Sequence, residues 1–212
     1  MMRNQFFLAL GGASAVALVA AGCVAIPSSA ELDKVAADMM VASFKAKGQA
    51  GMDRMGQDAV NAACSAADVA GKDLDSELRK KVEAQNMAMI KWPADGKYFG
   101  DWKRGESIAQ SGRGMTYSDQ AGASNGGNCY NCHQISKEEL SYGTLGPSLY
   151  NYGKLRGNSE AVLKYTWGKL YNAKAYNACT NMPRFGPTNV LTEAQMKDLM
   201  ALLLDPNSPI NK

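Results

Sequence analysis

Chemistry in this chain is concentrated in Cys129-Tyr130-Asn131-Cys132-His133. Two thiols separated by two residues, with a histidine directly after them, form the attachment signature of a c-type haem. Each thiol can form a thioether with one porphyrin vinyl group, and the imidazole that follows then lies under the iron as an axial ligand. His133 is the single histidine among 212 residues, and there are five cysteines. A four-ligand zinc site of Cys/His type is poorly served by that inventory. A thioredoxin-like redox pair would need a βαβ setting, which does not surround the motif. The motif predicts one covalently attached haem c, held by Cys129 and Cys132, with His133 on the metal.

A six-coordinate electron-transfer haem needs a second axial ligand, and no second histidine exists, which leaves Met, Cys, Lys, Tyr or an amine. Of the 12 methionines, Met182 stands out by context. It lies between Asn181 and Pro183, one short loop before the last helix, and Pro183 restricts the chain beside it. Met115 and Met196 are weaker candidates. Cys179 is a rival, since a thiolate binds ferric iron well, unless a disulfide to Cys64 engages it. A metal-bound imidazole usually donates its other N–H to a carbonyl or carboxylate. Pro147, 14 residues after His133 in a Gly-Pro turn, offers such a carbonyl; the plainer reading is a turn proline. Arg156 or Arg184 could meet haem propionates, against the plainer reading of solvated surface arginines.

The elements that must position these groups are helical. Ser28 and Glu31 have capping-box spacing, and Leu32, Val35, Ala36, Met39, Met40 and Phe44 follow at helical steps. Asp58–Ala70 reads as a short Ala-rich helix carrying Cys64. Asp75 or Ser76 caps another, with Leu78, Val82 and Met89 expected inward and Pro93 closing it. Asp101–Gln110 reads as a helix in which Gly105 costs about 1 kcal/mol against Ala yet lets another helix approach closely. Ser111–Asn128 is Gly-rich and polar, expected to be an exposed loop near the haem edge. Ser159 is expected to cap a helix with Val162, Leu163, Thr166 and Trp167 inside. Thr192 and Gln195 form a second capping box, leading an amphipathic helix that Pro206 stops. No strand-like alternation appears, so the fold class is all-α.

The net charge of +3, without a Lys/Arg run, implies no nucleic-acid partner. Residues 1–30 read as a secretory signal: Arg3, then an apolar run from Phe6 to Ala21, then small residues. Ala20-Ala21-Gly22-Cys23 resembles a lipobox with Ala where a large aliphatic residue is usual. The expected location is therefore the periplasm, soluble after cleavage near Ala21 or Ala30, with a lipid anchor on Cys23 as the alternative. Residues 31–95 form a helical extension and 96–212 the haem domain. With Cys129 and Cys132 committed to haem and Cys23 to processing, Cys64 and Cys179 remain as a pair in an oxidising compartment. The alternative is two unrelated buried thiols.

The order CxxCH, GPSL, YGKLRG and NMPRFG before a final helix resembles class I cytochromes c over about 101–205. A closer likeness is to the SoxX family, the mono-haem subunits of the SoxXA cytochromes of bacterial thiosulfate oxidation. It is carried by GDWKRGESIAQSG (100–112), GGNCYNCHQ (126–134), ELSYGTLGPSLYNYGKLRG (139–157), YNACTNMPRFG (176–186) and the C-terminal stretch 191–212. The resemblance implies haem c on Cys129 and Cys132, with His133 and Met182 as ligands. It implies a SoxA-like partner subunit bearing the catalytic haem, in a heterodimer that joins thiosulfate to a cysteine of a SoxYZ-like carrier, an L-cysteine S-thiosulfotransferase reaction. This chain would accept the electrons and pass them to a soluble cytochrome, with no catalytic residue of its own. Two alternatives are a free-standing mono-haem carrier of a respiratory chain and a haem sensor in which a gas displaces Met182.

Overall fold

The computed structural model describes residues 27–212; most of the segment read above as a signal, with Cys23, lies outside them. Among the described residues every regular element is a helix, and the only ladder pairing is an isolated antiparallel bridge between Lys47 and Ala50. No helix among them is long and apolar enough to cross a membrane. The chain divides into two compact units, one ending at Ser43 and the other spanning Phe44–Lys212.

In the first unit α1 (Ser29–Ser43) starts at the expected capping box. The Ser28 hydroxyl accepts from Glu31 N, and the Glu31 carboxylate accepts from Ser28 N at 2.8 Å. Its apolar residues, Leu32, Val35 and Met39 among them, are exposed.

The second unit is built on α4 (Trp102–Gln110) and α7 (Glu193–Leu204), which pack directly together. Gly105 makes this possible: a Cβ there would run into the Asp198 carbonyl and come within 3.0 Å of Leu202 Cβ. The buried Asp198 carboxylate then accepts from Asp101 N at 2.7 Å and from Arg104 Nε and Nη2, both at 2.9 Å. A bidentate guanidinium satisfies a carboxylate that would otherwise be costly to bury. The capping box at Thr192 and Gln195 forms as expected. Leu199, Met200, Leu202, Leu203 and Leu204 carry α7 into a core shared with Trp167, Leu170, Tyr171 and Phe185.

Upstream, Asp58 caps α2 (Ala59–Val69), which buries no side chain fully. Asp75 caps α3 (Ser76–Ala88), whose inward row differs from the one expected. Val82 is buried, but Leu78 and Met89 are 38% and 51% exposed. The packed row is Val82, Asn86 and Ile90, four residues apart and therefore on one stripe; Met89 falls off it and Leu78 precedes the packed part. Asn86 is buried because Asn172 Nδ2 donates to its backbone and side-chain oxygens at 3.1 and 3.0 Å. Trp167 Nε1 likewise donates to Lys91 O at 2.9 Å. From Phe44 onward, the segment before the haem domain thus shares one compact unit with it.

Two α-helices lie between the CxxCH motif and α7. The five-residue α5 (Tyr152–Arg156) has no counterpart in the sequence reading. In α6 (Glu160–Tyr171) Ser159 occupies the N-cap without a side-chain hydrogen bond, contrary to expectation. Thr166, Trp167, Gly168, Leu170 and Tyr171 are its buried residues, while Val162 and Leu163 are half-buried against the core.

Candidate functional site

The CxxCH stretch forms a single 3₁₀ turn, Cys129–Asn131, entered through Asn128 in the left-handed region at φ 51°. Cys132 N and His133 N both donate to Cys129 O, at 3.1 and 2.9 Å. This turn places both thiols and the imidazole on one tight bend. Tyr130 anchors it, buried, with its hydroxyl donating to Glu106 Oε1 on α4 at 2.9 Å. Burial and that carboxylate hold the phenol well above its ordinary range.

His133 Nδ1 lies 2.7 Å from Pro147 O, the contact expected from the Gly-Pro turn. A carbonyl can only accept, so Nδ1 carries the proton and Nε2 keeps its lone pair. The strand of loop that brings Pro147 there is pinned by Gly143 N donating to Tyr130 O and Gly146 N to Cys132 O, at 2.7 and 2.8 Å. Gly146 is required at its position, because any Cβ would collide with the His133 ring.

Cys129 and Cys132 are not bonded to each other. Burial pushes the Cys129 thiol up to about 12. That is the reverse of what an attacking thiol of a redox CxxC pair needs. Two unpaired thiols, an imidazole with its metal-binding nitrogen uncommitted, and a side-chain-free approach at Gly146 make a donor set that fits a c-type haem. Among the described residues no cluster of three or more His, Cys, Asp or Glu side chains could hold a bare metal ion.

Met182 is half-buried and borders the same core as Cys129, with its backbone N–H donating to Thr180 Oγ1 at 3.2 Å. The other methionines considered sit differently. Met196 is buried at 2% exposure in the core, and Met115 lies in the loop after α4 with φ 64°. Cys179 is bonded to Cys64, which takes it out of ligand contention. Arg184 donates to Asp58 Oδ2 at 2.7 Å, and Arg156 stacks over the Tyr152 ring at 5.4 Å. A cleft of about 480 Å³ borders Met182 and the disulfide but not the CxxCH turn.

The Gly-rich connection 111–128 is tied down rather than free. Asp119 accepts from Gly114 N, Thr116 N and Thr116 Oγ1, which gathers the loop on one carboxylate. Residues 47–54 grip it from outside: the Arg54 guanidinium donates to Met115 O, and Gln49 Nε2 to Asp119 O at 3.2 Å. Its far end is fixed by Asn125, which donates to Val190 O at 2.9 Å and accepts from Gln195 at 2.7 Å. No sequence periodicity signals these side-chain-to-backbone ties.

A family model for cytochrome c matches residues 121–205. A curated protein of Aquifex aeolicus (strain VF5), described as an uncharacterized lipoprotein, is 40% identical over 126 residues, 59% of each chain. The chain therefore spans about three fifths of the length of the curated relative it matches. The match places a cytochrome c domain in the unit that holds the CxxCH turn, and such a domain implies a covalently bound haem c.

Proposed function

We propose that this chain is the electron-accepting subunit of a SoxXA-like complex that oxidatively conjugates thiosulfate to a carrier-protein cysteine. Cys129 and Cys132 hold the single haem, His133 and Met182 are its axial ligands, and Pro147 orients His133 through Nδ1. Haem c, when bound, supplies reversible one-electron chemistry. The observation that supports the haem site in this reading is the His133–Pro147 contact at 2.7 Å beside two unpaired thiols. It commits the histidine tautomer to metal binding and, since the chain has one histidine, leaves no second imidazole as a base.

The substrate class follows from the SoxX-like motif set rather than from the site itself. Joining a thiosulfate sulfur to a cysteine sulfur releases two electrons, and a one-haem subunit takes one at a time. A second redox centre on a SoxA-like partner meets that need, with a SoxYZ-like protein carrying the cysteine and a soluble cytochrome as final acceptor. The catalytic haem belongs to the partner, and this chain holds, orients and tunes its own cofactor. We place the protein outside the cytoplasm, in the periplasm. The name of the Aquifex relative supports a lipid anchor on Cys23 as the alternative form.

The test is stopped-flow reduction of the purified holoprotein. Thiosulfate with partner and carrier should reduce it rapidly, and thiosulfate alone slowly or not at all. If the complete system leaves it oxidised while another respiratory donor reduces it at once, a free-standing carrier replaces this reading.

A further inference from the structure

The Cys64–Cys179 disulfide joins α2 to the loop carrying Met182, across 115 residues of sequence. Cys179 precedes Met182 by three residues, and Arg184 follows it by two. Both flanks of Met182 are tied to the same element. Cys179 is bonded to Cys64 within α2, and Arg184 is paired at 2.7 Å with Asp58, the α2 N-cap. α2 has little else to hold it, since none of its side chains is fully buried. The Arg184 and Asp58 side chains are 29% and 39% exposed. A partly exposed ion pair of that kind holds an element only weakly.

The disulfide is also reachable. Cys179 is exposed, and both cysteines line the open cleft of about 480 Å³ beside Met182. Lys174 and Arg184 line that cleft, Lys174 donating to Ala178 O at 2.7 Å and Arg184 paired with Asp58. Cations near a disulfide stabilise the departing thiolate and speed exchange.

From this we infer that Cys64–Cys179 is a thiol–disulfide exchange site whose state decides whether Met182 is held at its ligand position. A dithiol partner is the reductant. Its thiolate attacks Cys179 Sγ, the Cys64–Cys179 bond breaks, and Cys64 leaves as a thiolate that takes up a proton. The second thiol of the partner then resolves the mixed disulfide. Two electrons and two protons pass to the cysteine pair, and the partner becomes a disulfide. With the covalent tie gone, α2 is left to the exposed ion pair and the Met182 loop loses its brace. The inference rests on Met182 being the distal ligand.

The experiment uses the full holoprotein. It is treated natively with dithiothreitol, alkylated and mapped by peptide mass. The haem is then reoxidised with ferricyanide and its ferric far-red sulfur-to-iron band recorded. Alkylation of Cys64 and Cys179 together with loss of most of the band is expected. Omitting the alkylation and allowing the disulfide to re-form should restore it. The Cys64→Ser/Cys179→Ser variant should show the weakened band without reductant and should not respond to dithiol. Resistance of the native disulfide to dithiothreitol overturns the inference and leaves the Met182 assignment standing, as does a reduced, alkylated protein with a full band. An untreated protein that lacks the band removes the Met182 assignment itself, and the inference with it.

Discussion

Replacing Gly105 by alanine tests the packing on which the whole haem unit stands. A Cβ at this position meets the Asp198 carbonyl and Leu202 Cβ, and neither is the end of a flexible side chain that could swing away. The spacing between α4 and α7 must open, and overpacking of this kind costs about 1–3 kcal/mol. Opening it also pulls on the buried Asp198 carboxylate, whose bonds to Asp101 N and Arg104 run from 2.7 to 2.9 Å. Loss of one charged hydrogen bond there adds about 1.5–3 kcal/mol. The better helix propensity of alanine returns about 1 kcal/mol. The net expectation is a destabilisation of about 1.5–5 kcal/mol, read as a Tm drop of roughly 3–20 °C at about 2–4 °C per kcal/mol for a unit of this size. Gly56 is the control: a Cβ there meets nothing within 4 Å, and its φ of −96° is open to any residue. Gly56→Ala should be neutral or slightly stabilising. Thermal unfolding of both variants, followed by far-ultraviolet circular dichroism, decides. If Gly105→Ala unfolds at the same temperature as Gly56→Ala, the close contact between α4 and α7 is refuted.

Other outcomes follow from the same geometry. Removing the disulfide by Cys64→Ser/Cys179→Ser frees a loop closed over 115 residues and should lower unfolding free energy by about 2–4 kcal/mol in a denaturant titration. Gly146→Ala pushes on the His133 ring and should weaken its bond to Pro147, which makes the imidazole a poorer donor and is seen as a raised reduction potential and an altered haem spectrum in an otherwise folded protein. Met182→Ala should abolish the far-red ferric band, and retention of that band would remove Met182 from the iron. The Asn61 N–H and then the Arg184 guanidinium hold the Asp58 carboxyl below its ordinary range. A depressed carboxyl contributes stability above its unfolded pKa and loses it as pH falls through the folded value. The stability difference between the parent and Asp58→Asn should therefore be full at neutral pH and vanish in acid.

The parts of this fold legible in the sequence are those governed by local spacing. The capping boxes at Ser28 and Thr192 and the Asp75 cap of α3 are set by residues three or fewer apart. The Pro147 contact was legible because a Gly-Pro turn fixes the backbone and a lone histidine needs an acceptor. Gly105 was legible because a glycine inside a helix costs stability unless something approaches it. What escaped the sequence is tertiary. Asn86 reads as a polar surface residue until Asn172, 86 positions later, pairs with it in the core. The Ser111–Asn128 loop reads as free because its ties to Arg54, Gln49 and Val190 run to backbone carbonyls or side chains with no periodic signature. Ser159 has the residue type of a cap, but its side chain makes no capping bond.

The central claim is that Cys129 and Cys132 carry one covalent haem with His133 beneath it. The most direct measurement is intact and peptide mass spectrometry of the purified protein after acid–acetone extraction. A single haem retained on the peptide containing Cys129, Cys132 and His133, with neither thiol open to alkylation, is the predicted result. Extraction of the haem with both cysteines recovered as alkylated thiols, or a haem found on any other peptide, would contradict it.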